Sequence, residues 1–292
     1  MEPPDHLIIV CCHAVWLGGA SQGSDEDEWL LADFQAGETP TFIEHIKAGL
    51  HVLKNDARSM LIFSGLVDTF LHSAALRTYL NQWGSTRPKT KLQKSEVSIL
   101  LFVITSAVEF LKKTSSSEAS SYTNLAAANS YFQILPESTA KPRIFCEERA
   151  LDSYSNILLS IIQFWSTYNI WPTKLTIVSH TFKRERLVDC HCGAIRFPAH
   201  RVNFVGVDPP GMADGSNKSA ILGAVEAVEQ WKNDPHGEQS PLAAKRMGRN
   251  PWGISQILFP TEEERDRSGV RSRILKDGQE YLMDGVPQPW SD

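Results

Sequence analysis

The chain has 292 residues, of which 42% are hydrophobic and 22% are charged, a composition typical of folded globular proteins. Its formal net charge of −5 at pH 7 argues against nucleic-acid and anionic-membrane partners, because those surfaces attract a clustered basic excess. The amino terminus lacks the basic start of a signal peptide, and the longest apolar run, 97–108, is shorter than the roughly 20 residues that cross a bilayer. The cysteines follow no regular disulfide framework, so we expect a cytoplasmic protein without a membrane partner.

Five short apolar segments predict strands that are buried on both faces of a parallel sheet. These segments comprise residues 7–12, 60–63, 143–146, 174–178 and 202–207. Apolar residues at helical spacing predict helices over 41–54, 152–168, 182–197 and 219–231. Because strands that alternate with helices indicate βαβ units, we predict an α/β fold, a Rossmann-like three-layer sandwich with a mostly parallel five-stranded sheet.

Two stretches depart from this alternation. Residues 66–111 lengthen one strand-to-helix connection by more than forty residues, and connections that long are uncommon in compact domains. We interpret 66–111 as an insertion into a domain that spans 1–235, either a genuine loop or translated non-coding sequence. Beyond residue 235 the periodicity decays, so we predict that 236–292 is a partly irregular extension that either wraps the domain or stays mobile.

Candidate site residues follow from the rule that ligands of open parallel sheets bind outside the carboxyl ends of the strands. The rule selects polar residues and glycines that follow the predicted strands or begin the next helices. They are His13, Ser64, Gly65, Glu118, Glu148, Asp152, Ser153, Asn156, His180, Lys183, Arg186 and Asp208.

The chemistry of these residues predicts a small anionic, nucleotide-like ligand. Helix N-termini and the turn after Ser64 offer N–H groups to an anion, and Lys183 and Arg186 would neutralise a phosphate or carboxylate. The carboxylates would hold the hydroxyls of a ribose-like group or act as general acid or base. His13 and His180 are candidate proton carriers.

Each candidate also has a structural interpretation. Asp152 and Ser153 can cap the long helix, Glu148 can pair with Arg186, and His13 can be a half-buried histidine with its hydrogen bonds satisfied. The segment 190–192, Cys-His-Cys, predicts core packing rather than a metal site, because adjacent helical side chains point apart.

Several sharper motifs are missing. The sequence contains no G-x-G-x-x-G after the first strand, no P-loop and no nucleophile elbow. We therefore predict no particular cofactor, and both the catalytic residues and the existence of a reaction stay open.

Ordered blocks of the chain carry a family resemblance. The blocks are Ile9–Trp16, Asp33–Gln35, Thr41–Gly49, Phe63–Gly65, Ser117–Tyr122, Glu147–Asn156, Phe182–Arg186 and Val205–Pro209. Together they resemble the domain-of-unknown-function family that includes SanA, ElyC and YdcF, most closely its soluble fungal branch. In such proteins the Ser-Gly strand end is closely followed by the Ser-Glu-Ala-x-Ser-Tyr block, and joining Gly65 to Lys112 restores that spacing.

The chain departs from the family pattern at Cys12 and Leu66, where the resemblance implies glycine. Bulky residues resist a positive φ, so these two positions put a tight anion-cradling turn in doubt. An alternative function is therefore a non-catalytic regulatory or partner-binding domain with a degenerate site.

Overall fold

The computed structural model describes residues 3–66, 116–210, 212, 218–250, 253–275 and 278–291. Nearly all of the predicted insertion 66–111, with its apolar run 97–108, lies outside the described residues. The strands are β1 (His6–Cys11), β2 (Val15–Trp16), β3 (Trp29–Leu30), β4 (Ser59–Ser64), β5 (Ile144–Glu147), β6 (Lys174–Ser179), β7 (Val202–Gly206), β8 (Ser272–Ile274) and β9 (Glu280–Leu282). The α-helices are α1 (Thr39–Asn55), α2 (Glu118–Ala128), α3 (Glu137–Ala140), α4 (Ser153–Tyr168), α5 (Gly193–Ile195), α6 (Lys218–Asn233), α7 (Leu242–Gly248) and α8 (Glu262–Ser268).

One parallel sheet organises the fold. Its strand order is β5-β4-β1-β6-β7, and every neighbouring pair is parallel. The chain adds β4 and β5 on one side of β1 and then crosses to add β6 and β7 on the other side. This confirms the predicted α/β fold with a five-stranded parallel sheet. The strand order reverses between β1 and β6, which is where sheets of this kind bind ligands.

Alternating residues of the central strands build two hydrophobic layers. Both β1 and β4 are buried along their whole length, as a sheet covered on both faces requires. Ile8 and Val10 face α1 and α2, whereas Leu7 and Ile9 face α4. Gly49 allows α1 to lie close to the sheet, since a Cβ at this position would stand 2.6 Å from Val10 Cγ2.

The described residues beyond 235 pack against the same core. Phe259, Leu282 and Trp290 are buried in the hydrophobic cluster that contains the α4 face. The Nε1 of Trp290 donates a hydrogen bond to the carbonyl of Ile195 at 3.0 Å. The extension therefore wraps the sheet domain, which brings α7 to the carboxyl edge of the sheet.

The chain after β6 differs from the single α-helix predicted over 182–197. A 3₁₀ turn at Thr181–Lys183 precedes a π-helix at Glu185–Cys192, and α5 follows. The π-helix buries two pairs of residues, Leu187 with Val188 and His191 with Cys192. Apolar spacing alone does not distinguish this winding from an α-helix, because both wind in the same sense with one buried face.

Two further observations concern the cysteines and the helices. All five cysteines are free thiols. None of the helices in the described part of the chain combines the length and the hydrophobicity that crossing a membrane demands.

Candidate functional site

A cleft of about 360 Å³ opens at the carboxyl edge of the sheet. Its floor comes from the ends of β1, β4 and β6, and its walls come from the first residues of α2 and α4, the π-helix, α6 and α7. Eight of the twelve predicted residues line the cleft: His13, Gly65, Glu118, Asp152, Ser153, Asn156, Lys183 and Arg186.

Two of the other four predicted residues lie beneath the cleft. Ser64 is fully buried, and its Oγ lies 3.1 Å from both Glu147 Oε2 and Asn156 Oδ1. This contact fixes the orientation of Asn156 at the cleft floor. His180 is also buried, and its ring stacks under His13 with centroids 4.4 Å apart.

The remaining two predicted residues stabilise loops outside the cleft. Glu148 is exposed and accepts a hydrogen bond from Ser117 Oγ at 2.5 Å. Although Glu148 and Arg186 both belong to the described part of the chain, they form no ion pair, so that structural interpretation is wrong. Asp208 accepts a hydrogen bond from the backbone N–H of Phe182 at 3.3 Å.

Asp152 caps α4 and also holds the extension. Its carboxylate accepts a hydrogen bond from Ser155 N–H at 2.8 Å and pairs with Arg246 Nε at 2.8 Å. Burial raises the pKa of Asp152, but the Arg246 charge and the Ser155 hydrogen bonds outweigh it and lower that pKa to about 2. Ser153 is the first helical residue rather than the cap, and its Oγ lies 2.8 Å from His191 Nε2.

Five basic side chains give the cleft a positive lining. Lys183 and Arg186 are predicted residues, and the sequence reasoning missed the three others, Lys245, Arg246 and Arg249. These three lie on α7 and its C-terminal cap, within the extension where no regular pattern was evident. The signal that could have found them is the spacing of Lys245 and Arg249, four residues apart, which places them on one helix face.

Lys183 and Arg186 are basic side chains whose charge the described acidic groups offset only in part. Neither side chain forms an ion pair among the described residues, and the buried Nε of Arg186 has no hydrogen-bond partner there. Burial, and then the charge of Arg186, lower the pKa of Lys183 to about 7. Burial, and then the charge of Arg249, lower the pKa of Arg186 to about 10. A concave site that contains a charged guanidinium and an amine with a pKa near 7 favours an anion, which would in turn stabilise the protonated form of Lys183.

Three histidines meet beside the cleft, at the reversal of strand order. His13 and His180 follow β1 and β6, and His45 projects from α1, a position that sequence reasoning missed. One nitrogen atom from each of the three rings lies within 4.8 Å of the others. Burial lowers the pKa of all three imidazoles, that of His45 to about 4, so the rings are neutral at physiological pH.

The backbone around Gly65 removes one doubt raised by the sequence. Neither Cys12 nor Leu66 adopts a positive φ, so their side chains do not strain the turn. Glycine is required at position 65 for space, because a Cβ there would collide with the Glu118 carboxylate and touch Cys12. Glycine keeps this edge of the cleft open.

The fold and the site define a class: an α/β protein with the strand order of Rossmann folds and a cationic cleft at the reversal of that order. The chain is similar to the uncharacterized protein YOR238W of Saccharomyces cerevisiae, with 23% identity over 320 residues that cover 100% of this chain and 99% of the yeast protein. No protein-family model matches the chain, and no solved structure matches it.

Proposed function

We propose that the protein binds a small anionic metabolite in the cleft, with a phosphate or carboxylate group held by Lys183 and Arg186. The single observation that carries this proposal is the pair of cations without an ion-pair partner in the described part of the chain. Leaving the buried Nε of Arg186 without an acceptor is costly, and a bound anion would supply one.

The shape of the site supports a small-molecule ligand. Pockets for such ligands occupy about 300–1,000 Å³ and favour the reversal of strand order in α/β sheets. The cleft has a volume of about 360 Å³ and lies at that position. An open cleft lined by polar groups also favours ligand binding over the alternative of a regulatory domain with a degenerate site.

The polar groups around the cations suit a nucleotide-like ligand. Glu118 and Asn156 line the same cleft and would bind hydroxyl groups of a sugar. We also propose that the chain belongs to the family of SanA, ElyC and YdcF, which it resembles, and that it is cytoplasmic. Its free cysteines agree with a cytoplasmic location.

Thermal-shift screening tests the proposal. The panel contains orthophosphate, nucleoside mono- and diphosphates, S-adenosylmethionine and sugar phosphates. We expect at least one anion to raise the melting temperature of the wild type in a concentration-dependent manner. A panel in which no compound does so contradicts the proposal and favours the regulatory alternative.

A matched pair of variants assigns the binding to the cleft. Arg186→Gln removes a charged hydrogen-bond donor worth about 1.5–3 kcal/mol, so the Kd should rise roughly 10- to 150-fold. Arg184→Gln is the control, because Arg184 is exposed and pairs with Asp189 at 3.5 Å outside the cleft. Equal affinities of the two variants in isothermal titration would show that the anion binds elsewhere.

A further inference from the structure

The histidine cluster has the composition of a transition-metal site. In the described part of the chain, His13, His45 and His180 form the one group of three potential ligands whose donor atoms approach one another this closely. Imidazole nitrogen suits Zn²⁺ and neighbouring divalent metals of the first row. Three histidines with an open fourth position are the ligand set of several zinc enzymes.

The distances fit a contraction onto a metal ion. Three points 4.8 Å apart have a centre about 2.8 Å from each, and Zn–N bonds measure about 2.1 Å. Each ring would therefore move by less than about 1 Å to bind a tetrahedral Zn²⁺. Because the His13 and His180 rings are stacked with their planes 28° apart, one of them would also have to turn so that both lone pairs point at the ion.

Among the described residues, the His45 ring makes one hydrogen bond and the His180 ring makes none. His45 Nε2 donates a hydrogen bond to the carbonyl of Val207 at 2.9 Å, which leaves the lone pair on Nδ1. That Nδ1 is buried without a hydrogen-bond partner, and so are both nitrogens of His180. A metal-binding histidine usually donates its other N–H to a carbonyl or carboxylate. Val207 supplies the carbonyl for His45, and Glu38 Oε2 lies 3.7 Å from His180 Nε2.

His13 connects the cluster to the cleft. Its Nδ1 lies 3.3 Å from Lys183 Nζ and its Nε2 lies 3.4 Å from Ser179 Oγ, both longer than the usual 2.9 Å of a strong hydrogen bond. Either weak contact can therefore be exchanged for a metal bond. Lys183 is therefore a cation in direct contact with the cluster.

From this geometry we infer that His13, His45 and His180 bind one Zn²⁺ ion per chain, with the fourth coordination position directed to the cleft through the His13 side. The inference stands apart from the anion proposal, because its ligands differ from Lys183 and Arg186. It gives the cleft a Lewis acid next to its cationic wall. Sequence reasoning could not reach it, since the three histidines are separated by 31 and 134 intervening residues.

Metal analysis of the chelator-treated protein after incubation with Zn²⁺ alone tests the inference. We expect one equivalent of zinc per chain after dialysis, and a Zn²⁺ affinity that falls more than about 100-fold in His45→Gln, since loss of an outer partner alone costs 10- to 100-fold. His51→Gln is the matched control, because His51 lies exposed on the same helix. The Arg186→Gln variant should keep its zinc, which separates this result from a failure of anion binding.

X-ray absorption at the zinc edge keeps the inference testable without variants. Three imidazole nitrogens around the zinc would support it even if His45→Gln failed to fold. Sulfur in the first shell would place the zinc on cysteines and overturn it. A wild type that retains no zinc, or a folded His45→Gln variant with the affinity of His51→Gln, would overturn it as well.

Discussion

Replacing Asp152 with asparagine tests how the extension is held to the sheet domain. The Asp152 and Arg246 side chains are only 8% and 9% exposed, and their atoms Oδ2 and Nε lie 2.8 Å apart. Asparagine has nearly the same shape and remains a good N-cap residue. The substitution therefore removes the charge and leaves the cap of α4, so the change in stability reports on the ion pair.

The pKa of Asp152 sets the size of the expected loss in unfolding free energy. Its folded value of about 2 lies below the ordinary aspartate value of 3.8, and one pKa unit corresponds to 1.36 kcal/mol. The shift is thus worth about 2 kcal/mol of unfolding free energy at pH 7. Breaking a buried pair and leaving Arg246 uncompensated raises the loss toward about 3–5 kcal/mol.

The sign of the pH dependence follows from the depressed pKa. The stabilisation is complete above the unfolded pKa of 3.8 and is lost as the pH falls through about 2. At pH 3 about 1 kcal/mol of it remains. The gap between wild type and Asp152→Asn should therefore narrow by about 1 kcal/mol from pH 7 to pH 3.

Urea unfolding at several pH values measures this gap. Glu137→Gln is the control, because its pair with Lys141 is exposed on both sides and should contribute less than about 0.5 kcal/mol. An Asp152→Asn protein within 0.5 kcal/mol of the wild type at pH 7 would refute the reasoning. So would a gap that stays constant from pH 7 to pH 3.

Two further substitutions test the packing by urea unfolding. Gly49→Ala should destabilise the protein by about 1–3 kcal/mol, because its Cβ would press on Val10 and Leu61. Gly193→Ala is the control and should not destabilise the protein, because its Cβ meets nothing within 4 Å. Equal effects of the two changes would contradict the close approach of α1. Trp290→Ala should cost about 3–5 kcal/mol through the lost core contacts and hydrogen bond. Ile274→Ala in the exposed part of the same extension should cost far less, and a Trp290→Ala protein as stable as the wild type would show that the extension is not part of the core.

The sheet was predictable because each strand is a continuous apolar run. The segment predicted at 60–63 is the interior of β4, and the segment at 174–178 is β6 without its last residue. The π-helix and the extension were not predictable for physical reasons. A π-helix buries the same kind of apolar face as an α-helix, and short elements such as α7 and β9 are stabilised by tertiary contacts rather than by their own periodicity.

The site was predictable only in part, since the strand-end rule selects positions along the chain and not the directions of side chains. Asp152, Lys183 and Arg186 point into the cleft, whereas Glu148 turns outward to Ser117. Basic residues from α7 reach the cleft from far along the chain. The spacing of Lys245 and Arg249 places them on one helix face, but it does not show which part of the fold that face meets. His45 was missed for the same reason, because a single histidine on a helix gives no sign of its neighbours in the fold.

The most direct test of the cationic cleft is a crystal structure of the protein with an anion from the panel that raises its melting temperature. The account predicts electron density for the anionic group within hydrogen-bond distance of Arg186, with Lys183 on the same group. Density for the anion at another surface, with the side chains of Lys183 and Arg186 contacting only protein and solvent, would contradict it.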